Sequence, residues 1–160
     1  HYAFVGRNGC GKSSLLKLLI GQPIAHTGTL EIGSRLTVSY VPQDMSFLSG
    51  SADDFAAESE IDITLFKTIL RKLDFKRTQF TKDMSEFSMG QKKKVLLARS
   101  LCQRANLYIW DEPLNYIDVI SRLQIETLIL EYKPTMLFVE HDEAFVNDIA
   151  TKVCRISLNQ

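Results

Sequence analysis

A glycine-rich octapeptide near the start of the chain constrains its fold more than any other feature. Gly6 to Ser13 read G-R-N-G-C-G-K-S, which satisfies the pattern G-x-x-x-x-G-K-[S/T]. The preceding run, Tyr2 to Val5, is apolar and of strand length, and the following segment, Leu15 to Leu19, carries leucines at helical spacing. A strand, a glycine turn and a helix in this order predict a phosphate-binding loop in an α/β protein.

Each residue type in this loop suits the binding of a phosphate chain. Glycines let backbone N–H groups turn around phosphate oxygens, and the helix N-terminus adds partial positive charge. Lys12 is expected to reach the β- and γ-phosphates and Ser13 to ligate Mg²⁺, while Cys10 is interpreted as a small filler rather than a redox thiol. The predicted nucleotide-contacting residues of the loop are Gly6, Asn8, Gly9, Cys10, Gly11, Lys12, Ser13 and Ser14.

Two adjacent carboxylates follow a second predicted strand. Leu107 to Trp110 is apolar, and Asp111 and Glu112 come directly after it. Ligands of open α/β sheets bind at the carboxyl ends of strands, so both side chains are expected to face the phosphates. Asp111 would hold Mg²⁺ and Glu112 would polarise the attacking water. A strand that simply ends in solvated charges is the alternative, and the phosphate loop in the same chain disfavours it.

The remainder of the chain alternates helices and strands, which predicts a mainly parallel sheet flanked by helices. Helices are predicted over Val119–Leu130 and Glu143–Ala150, and strands over Thr135–Glu140 and Val153–Leu158.

Two further segments depart from this alternation. Apolar and polar residues alternate over Thr29–Ile32 and Leu36–Val41, on either side of Gly33-Ser34, which predicts a small antiparallel flap. Between an acidic stretch from Ser51 and a basic stretch ending at Lys94, apolar residues fall at helical spacing. We therefore expect an inserted helical subdomain over residues 51–87.

Composition excludes several other classes of protein. The chain has 160 residues, 45% of them hydrophobic, which fits one domain with a real core. Nineteen Lys and Arg balance 19 Asp and Glu, so no global field draws the chain to nucleic acid or anionic membrane. No apolar run approaches the ~20 residues of a membrane span. Three widely spaced cysteines fit neither a disulfide framework nor a zinc site, which favours a cytoplasmic location.

Four more motifs resemble those of nucleotide-binding domains of the ABC ATPase superfamily, and they occur in that family's order. Val41-Pro42-Gln43 resembles the Q-loop, Phe87 to Gln91 the signature motif, and Leu114 to Asp118 the D-loop. His141 occupies the position of the switch histidine. The resemblance implies an ATPase in which Gln43 senses Mg²⁺ and the attacking water and His141 contacts the γ-phosphate.

The signature segment also has an interpretation from its residues alone. Ser88 and Gln91 form an S-x-x-Q capping box at the start of a helix, and such an N-terminus is an anion site. The resemblance implies that Ser88, Gly90 and Gln91 face ATP held by a second ABC domain. An ordinary helix cap is the alternative for Ser88. Met89 replaces the first of two usual glycines, and its larger side chain hinders the close approach of the helix end to phosphate. This suggests a third, less favoured interpretation, a domain that only binds ATP.

The residues of these motifs are most similar to those of the ABC-F subfamily. Glu112 to Asp118 is similar to its EPTNHLD sequence, with Leu114, Tyr116 and Ile117 replacing Thr, His and Leu. ABC-F proteins carry two ABC domains in one chain and act on the ribosome. Ser88 to Cys102 looks most like the branch that protects ribosomes from antibiotics, and the strand before His141 looks like that of the second domain. The ATPase subunit of a membrane transporter is the alternative.

The resemblance covers the whole chain as one ABC domain. We expect residues 1–50 to carry the phosphate loop and Q-loop, 51–87 the helical subdomain, and 88–160 the signature, acidic pair and switch histidine. The chain opens at His1 within a strand, which predicts a fragment. The resemblance implies that an aromatic residue stacking on adenine lies upstream, so we expect weak ATP binding and hydrolysis. Lys92 to Lys94 and the basic residues from Arg71 to Lys82 lie either near rRNA phosphates or on a solvated helix face.

Overall fold

One sheet of five parallel strands organises residues 1–157, the part of the chain that the computed structural model describes. The strands are β1 (Tyr2–Val5), β2 (Val38–Val41), β3 (Leu107–Asp111), β4 (Met136–Val139) and β5 (Lys152–Arg155). Their order across the sheet is β2-β3-β4-β1-β5, and every neighbouring pair is parallel. The carboxyl ends of all strands therefore lie at the same edge, which is where the predicted site residues follow them.

Six α-helices accompany the sheet within residues 1–157. They are α1 (Lys12–Leu19), α2 (Ala52–Glu58), α3 (Ile63–Lys72), α4 (Met89–Cys102), α5 (Val119–Tyr132) and α6 (Glu143–Ile149). Short 3-10 turns occupy Arg77–Gln79 and Met84–Glu86. In that part of the chain, no helix combines the length and apolar character that crossing a membrane requires.

Neighbouring residues of β3 build the core on opposite faces of the sheet. Ile109 packs with Leu16 of α1 on one face. Trp110 packs with the apolar residues of α3 and α4 on the other. The indole Nε1 of Trp110 donates a 2.8 Å hydrogen bond to Ser100 Oγ, and that hydroxyl lies 2.7 Å from Ser39 Oγ. This buried polar chain joins β2, β3 and α4, so the edge strand is held by the helix as well as by its neighbour.

The predicted parallel sheet and its flanking helices are confirmed. Helix α1 follows the glycine loop, and α5 and α6 begin at Val119 and Glu143 as expected. The final strand begins one residue earlier than predicted, at Lys152, and Leu158 lies outside the described residues. Asp118 and Asp142 supply the side-chain N-caps that start α5 and α6.

The predicted antiparallel flap is wrong. Thr29–Ile32 forms no strand, and β2 pairs in parallel with β3 instead of turning back on a hairpin partner. The side chains of Leu30, Ile32 and Leu36 are exposed. An isolated two-stranded hairpin is marginal in water unless an apolar face packs on something else. Alternation around Gly33-Ser34 was therefore insufficient to form a hairpin. Residues 38–41 instead form parallel backbone hydrogen bonds with β3 of the main sheet.

The middle of the chain is helical, and its apolar residues share the main core. Phe66, Leu70 and Leu73 are fully buried and belong to the cluster that contains Val95 and Trp110. The helix predicted at this spacing is α3. That residues 51–87 behave as a separate subdomain stays a prediction.

Candidate active site

The glycine loop presents a helix N-terminus to an open cavity. Gly9 and Gly11 have φ angles of 79° and 90°, a region that residues with a Cβ adopt only under strain. Gly11 is the N-cap of α1, no side chain caps this end, and no acidic residue lies in its first turn. The first N–H groups of α1 thus remain available to an anion and carry the positive end of the helix dipole.

Lys12 folds back over the loop that precedes it. Its Nζ donates hydrogen bonds of 2.8 Å to Gly6 O and 2.9 Å to Arg7 O. Cys10 is buried, and a Cβ placed on Gly6 would lie 2.8 Å from Cys10 Sγ and 2.4 Å from Ile156 O. The contact favours the filler interpretation of Cys10, and the crowding explains why the loop opens with glycine.

Asp111 offers a buried carboxylate oxygen at the end of β3. Its side chain is 1% exposed, and its Oδ1 has no hydrogen-bond partner. Burial raises the pKa of Asp111, and the nearby Ser13 hydroxyl acts in the opposite direction. An unpartnered buried carboxylate oxygen beside a serine hydroxyl fits the oxygen ligands that Mg²⁺ prefers.

Glu112 contacts the two other residues predicted to be catalytic, Gln43 and His141. Its Oε2 accepts a 2.6 Å hydrogen bond from Gln43 Nε2 and another from Asn115 Nδ2. Its Oε1 lies 3.4 Å from His141 Nε2. The backbone of Glu112 has a φ of 49°, the left-handed conformation that non-glycine residues rarely adopt. Strain at this point aims the carboxylate out of the strand and toward the loops of β2 and β4.

The cavity between these groups has a volume of about 360 Å³. Its lining residues are Asn8, Gly9, Gly11, Lys12, Ser13, Ser14, Gln43 and Glu112. An adjoining cleft is lined by Ser13, Gln43 and Asp111, among others. Within residues 1–157, no group of three or more His, Cys, Asp and Glu side chains is placed to hold a metal. A divalent ion would therefore rely on the predicted Ser13, Gln43 and Asp111 and on the phosphates of a bound nucleotide.

The predicted signature residues do not line this cavity. Ser88 Oγ accepts from Gln91 N at 3.3 Å, and Gln91 Oε1 accepts from Ser88 N at 3.0 Å, so the predicted capping box is confirmed. Met89 is exposed. A Cβ on Gly90 would lie 2.5 Å from Tyr116 O, so the start of α4 touches the loop after the acidic pair.

Both interpretations of the lysine run are wrong for Lys93 and Lys94, whereas Lys92 is half-buried. Lys93 is 0% exposed, and its Nζ donates to Pro42 O at 3.3 Å and to Asp111 O at 3.5 Å. Lys94 is also buried and forms a 2.6 Å ion pair with Asp118. Neither side chain lies on a solvated face or is free to meet rRNA phosphates. Consecutive residues of a helix point in different directions, so a run of lysines on a half-buried helix must turn some of them inward.

Glu140 is a third buried charged residue that sequence reasoning missed. Its carboxylate accepts the N–H of Leu114 at 3.1 Å and that of His141 at 3.0 Å. Burial raises the pKa of Glu140, whereas these backbone hydrogen bonds lower it. A carboxylate directly before His141 at the end of a strand was the only available signal. Glu140 links the end of β4 to the loop that follows Glu112.

A phosphate loop at a helix N-terminus, joined to a buried Asp and to a Glu contacted by Gln and His, defines an ABC-type ATPase domain. The profile of the ABC transporter family matches residues 1–115, and the chain belongs to this family.

Two relatives match almost the whole chain. The chain is 36% identical over 162 residues to "Putative ATP-binding protein YdiF" of Bacillus subtilis, covering 97% of this chain and 25% of that protein. It is 30% identical over 160 residues to "ABC transporter F family member 2" of Arabidopsis thaliana, covering 96% and 24%. The chain thus spans about a quarter of the length of these relatives.

Solved structures share the fold. An archaeal ribosome recycling factor, aABCE1, solved in complex with the ribosomal stalk protein aP1, has a TM-score of 0.78 and 27% identity, with 96% of this chain and 31% of that chain covered. A protein described as a putative cobalt transport ATP-binding protein has a TM-score of 0.82 and 21% identity, with 97% and 64% covered. The second match establishes the fold alone.

Proposed function

We propose that this chain is one ATP-hydrolysing domain of a cytoplasmic ABC-F protein that acts on the ribosome. The observation that carries the catalytic part is the convergence of Gln43 and His141 on Glu112 beside the phosphate loop. The name of the Arabidopsis relative and the recycling factor among the solved structures support the ABC-F and ribosomal parts. The same relatives extend well beyond this chain.

In the proposed reaction, the loop and Lys12 bind the triphosphate, and Ser13, Gln43 and Asp111 would hold Mg²⁺. The bound ion would neutralise phosphate charge. Glu112 accepts a proton from the attacking water, because its carboxylate faces the cavity and is held by two amide donors. Gln43 orients this carboxylate and the water, and His141 approaches the γ-phosphate from the end of β4.

The N-terminus of α4 is proposed to meet ATP held by a second ABC domain. Ser88, Gly90 and Gln91 lie outside the cavity of their own domain. Ser88 and Met89 at this helix end are exposed. Ser88 Oγ occupies the N–H of Gln91, and the N–H groups of Met89 and Gly90 at the positive end of the helix dipole suit the γ-phosphate of a neighbouring site. ATP would then lie between two domains.

Ribosome association is the experiment that tests this function. The full-length natural protein carrying Glu112→Gln is incubated with ATP and ribosomes and then sedimented through sucrose. Retention on ribosomes with ATP, and not with ADP, supports the proposal. Exclusive recovery with a membrane permease would favour the transporter subunit instead.

A narrower proposal is that the protein protects ribosomes from antibiotics. Its support is the sequence of Ser88 to Cys102, which looks most like that of the ABC-F branch that protects ribosomes from antibiotics. Expression of the full-length protein in a susceptible bacterium should raise the inhibitory concentration of lincosamides, streptogramin A drugs or pleuromutilins. Unchanged susceptibility to all three classes, with the protein expressed and bound to ribosomes, would remove this narrower assignment and leave the ATPase intact.

A further inference from the structure

Helix α4 places one ammonium group beneath both loops that carry the candidate catalytic residues. Lys93 Nζ donates to the carbonyl of Pro42, directly before Gln43, and to that of Asp111, directly before Glu112. Its side chain is fully buried. One side chain therefore fixes the peptide units from which both members of the Gln43–Glu112 hydrogen bond project.

The surroundings of Lys93 explain how a buried ammonium is retained. Desolvation lowers the pKa of Lys93, and the carboxylates of Asp111, Glu112 and Glu140 raise it. Burying a charge without partners is strongly unfavourable, so the two carbonyls and the three carboxylates offset a large penalty. A core position that needed only apolar volume would not require this arrangement.

The position of Lys93 on α4 adds a mechanical connection. Residues 88–91 at the start of the same helix form the capping box, and Gly90 touches the backbone of Tyr116. An α-helix of this length behaves as a rigid element, so a displacement of its N-terminus is transmitted to Lys93 one turn further along. Lys93 Nζ in turn donates hydrogen bonds to the carbonyls of Pro42 and Asp111.

We propose that Lys93 is a positioning residue for ATP hydrolysis, which holds the carbonyls of Pro42 and Asp111 so that Gln43 and Glu112 point at the attacking water. This inference rests on the proposed roles of Gln43 and Glu112. It also gives the signature end of α4 a direct route to the hydrolytic groups.

The test uses the full-length natural protein with Lys93→Met, which keeps the length of the side chain and removes its charge and donors. Steady-state ATPase measurements should show kcat reduced about 10- to 100-fold, because misplacing a catalytic group by an ångström has an effect of this size. KM for ATP should change less than about 2-fold, since Lys93 is not among the residues lining the phosphate cavity. Lys92→Met, at a half-buried neighbouring position, is the matched control and should retain wild-type kcat.

A double-substitution cycle separates positioning from a general structural role. If Lys93 acts through Glu112, adding Lys93→Met to Glu112→Gln should reduce kcat no further. Multiplicative losses, or a rise in KM equal to the fall in kcat, would overturn the inference. Should Lys93→Met fail to fold, Lys93→Gln replaces it, because its side chain is uncharged and one atom too short to reach both carbonyls. Wild-type kcat in a folded Lys93→Gln protein would also overturn the inference.

The cycle also distinguishes this inference from the proposed function. Wild-type turnover in Glu112→Gln alone would remove the proposed role of Glu112. A large loss in Glu112→Gln together with wild-type turnover in Lys93→Met would leave that role intact and overturn only the role of Lys93.

Discussion

The side-chain amide of Gln43 donates a 2.6 Å hydrogen bond to the carboxylate of Glu112, although the two residues are 69 positions apart. The register of the sheet produces this contact. Val41 of β2 is paired with Trp110 of β3, and Gln43 and Glu112 each follow two residues later. Because parallel strands end at the same edge, the two loops leave the sheet side by side. The hydrogen bond is thus a consequence of strand pairing, made rigid by Lys93 beneath it.

Replacing Glu112 with Gln should abolish most ATP hydrolysis while leaving ATP binding intact. Gln keeps the shape of the side chain but cannot accept a proton from water, and loss of a general base costs about 10²- to 10⁴-fold in rate. Turnover and nucleotide binding are measured separately on the full-length protein. Glu131→Gln, at an exposed site on α5, is the control and should behave as wild type. Near-normal turnover in Glu112→Gln would show that another group activates the water.

Asp111→Asn should raise the Mg²⁺ concentration needed for half-maximal ATPase activity. The amide removes a negative oxygen ligand from a position where Oδ1 has no other partner. Titrating Mg²⁺ at saturating ATP measures the shift, and chelation with EDTA should abolish activity in both proteins. A Mg²⁺ dependence identical to that of wild type would contradict the assignment of Asp111 as a metal-holding residue.

Gly90→Ala should destabilise the contact between α4 and the loop after Glu112. Alanine is the better helix former by about 1 kcal/mol, but its Cβ would lie 2.5 Å from Tyr116 O, and backbone cannot yield cheaply. Overpacking of this kind costs about 1–3 kcal/mol, so a lower thermal unfolding midpoint and faster amide exchange over residues 112–118 are expected. Gly33→Ala is the control, because nothing lies within 4 Å of its Cβ. Equal midpoints for the two variants would show that Tyr116 moves aside freely.

The phosphate loop, the acidic pair and the alternation of strands and helices were predictable because each has a local signature. Glycine positions, apolar runs and the Ser88–Gln91 capping box are short-range patterns that tertiary packing reinforced. The flap over residues 29–41 had an equally clear local pattern, but the prediction was wrong. Strand pairing depends on which strand is available as a neighbour in the fold, and here that strand is β3.

The burial of Lys93 and Glu140 could not be read from their neighbours. Lys and Glu are usually found on protein surfaces. Hydrogen bonds with carbonyls and N–H groups from distant segments offset the cost of burying these two charges. Lys93 meets Pro42 across 51 positions, and Glu140 meets Leu114 across 26. Local patterns within α4 predicted neither that Lys93 faces inward nor which backbone groups receive it.

The ion pair between Asp118 and Lys94 should make stability depend on acid. Burial raises the pKa of Asp118, but hydrogen bonds from Lys94 and Ser121 outweigh it and bring the pKa to about 2. A depressed carboxyl pKa stabilises the fold above the unfolded value near 4, and this contribution is lost as the pH falls from about 4 toward 2. Asp118→Asn keeps an N-cap for α5 and removes only the charge, so the loss at pH 7 should be about 1 kcal/mol or less for this half-exposed pair.

Unfolding midpoints of wild type and Asp118→Asn measured between pH 7 and pH 2 should therefore converge with decreasing pH. The difference in midpoint between wild type and Lys94→Met should also become smaller over the same pH interval, because this variant removes the other partner of the ion pair. A part of that difference that does not depend on pH should remain, because Lys94 is buried. A difference between wild type and Asp118→Asn that stays constant to pH 2 would mean that Asp118 acts through its hydrogen bonds to the helix and not through its charge. Convergence above pH 5 would place the titration on another carboxyl group.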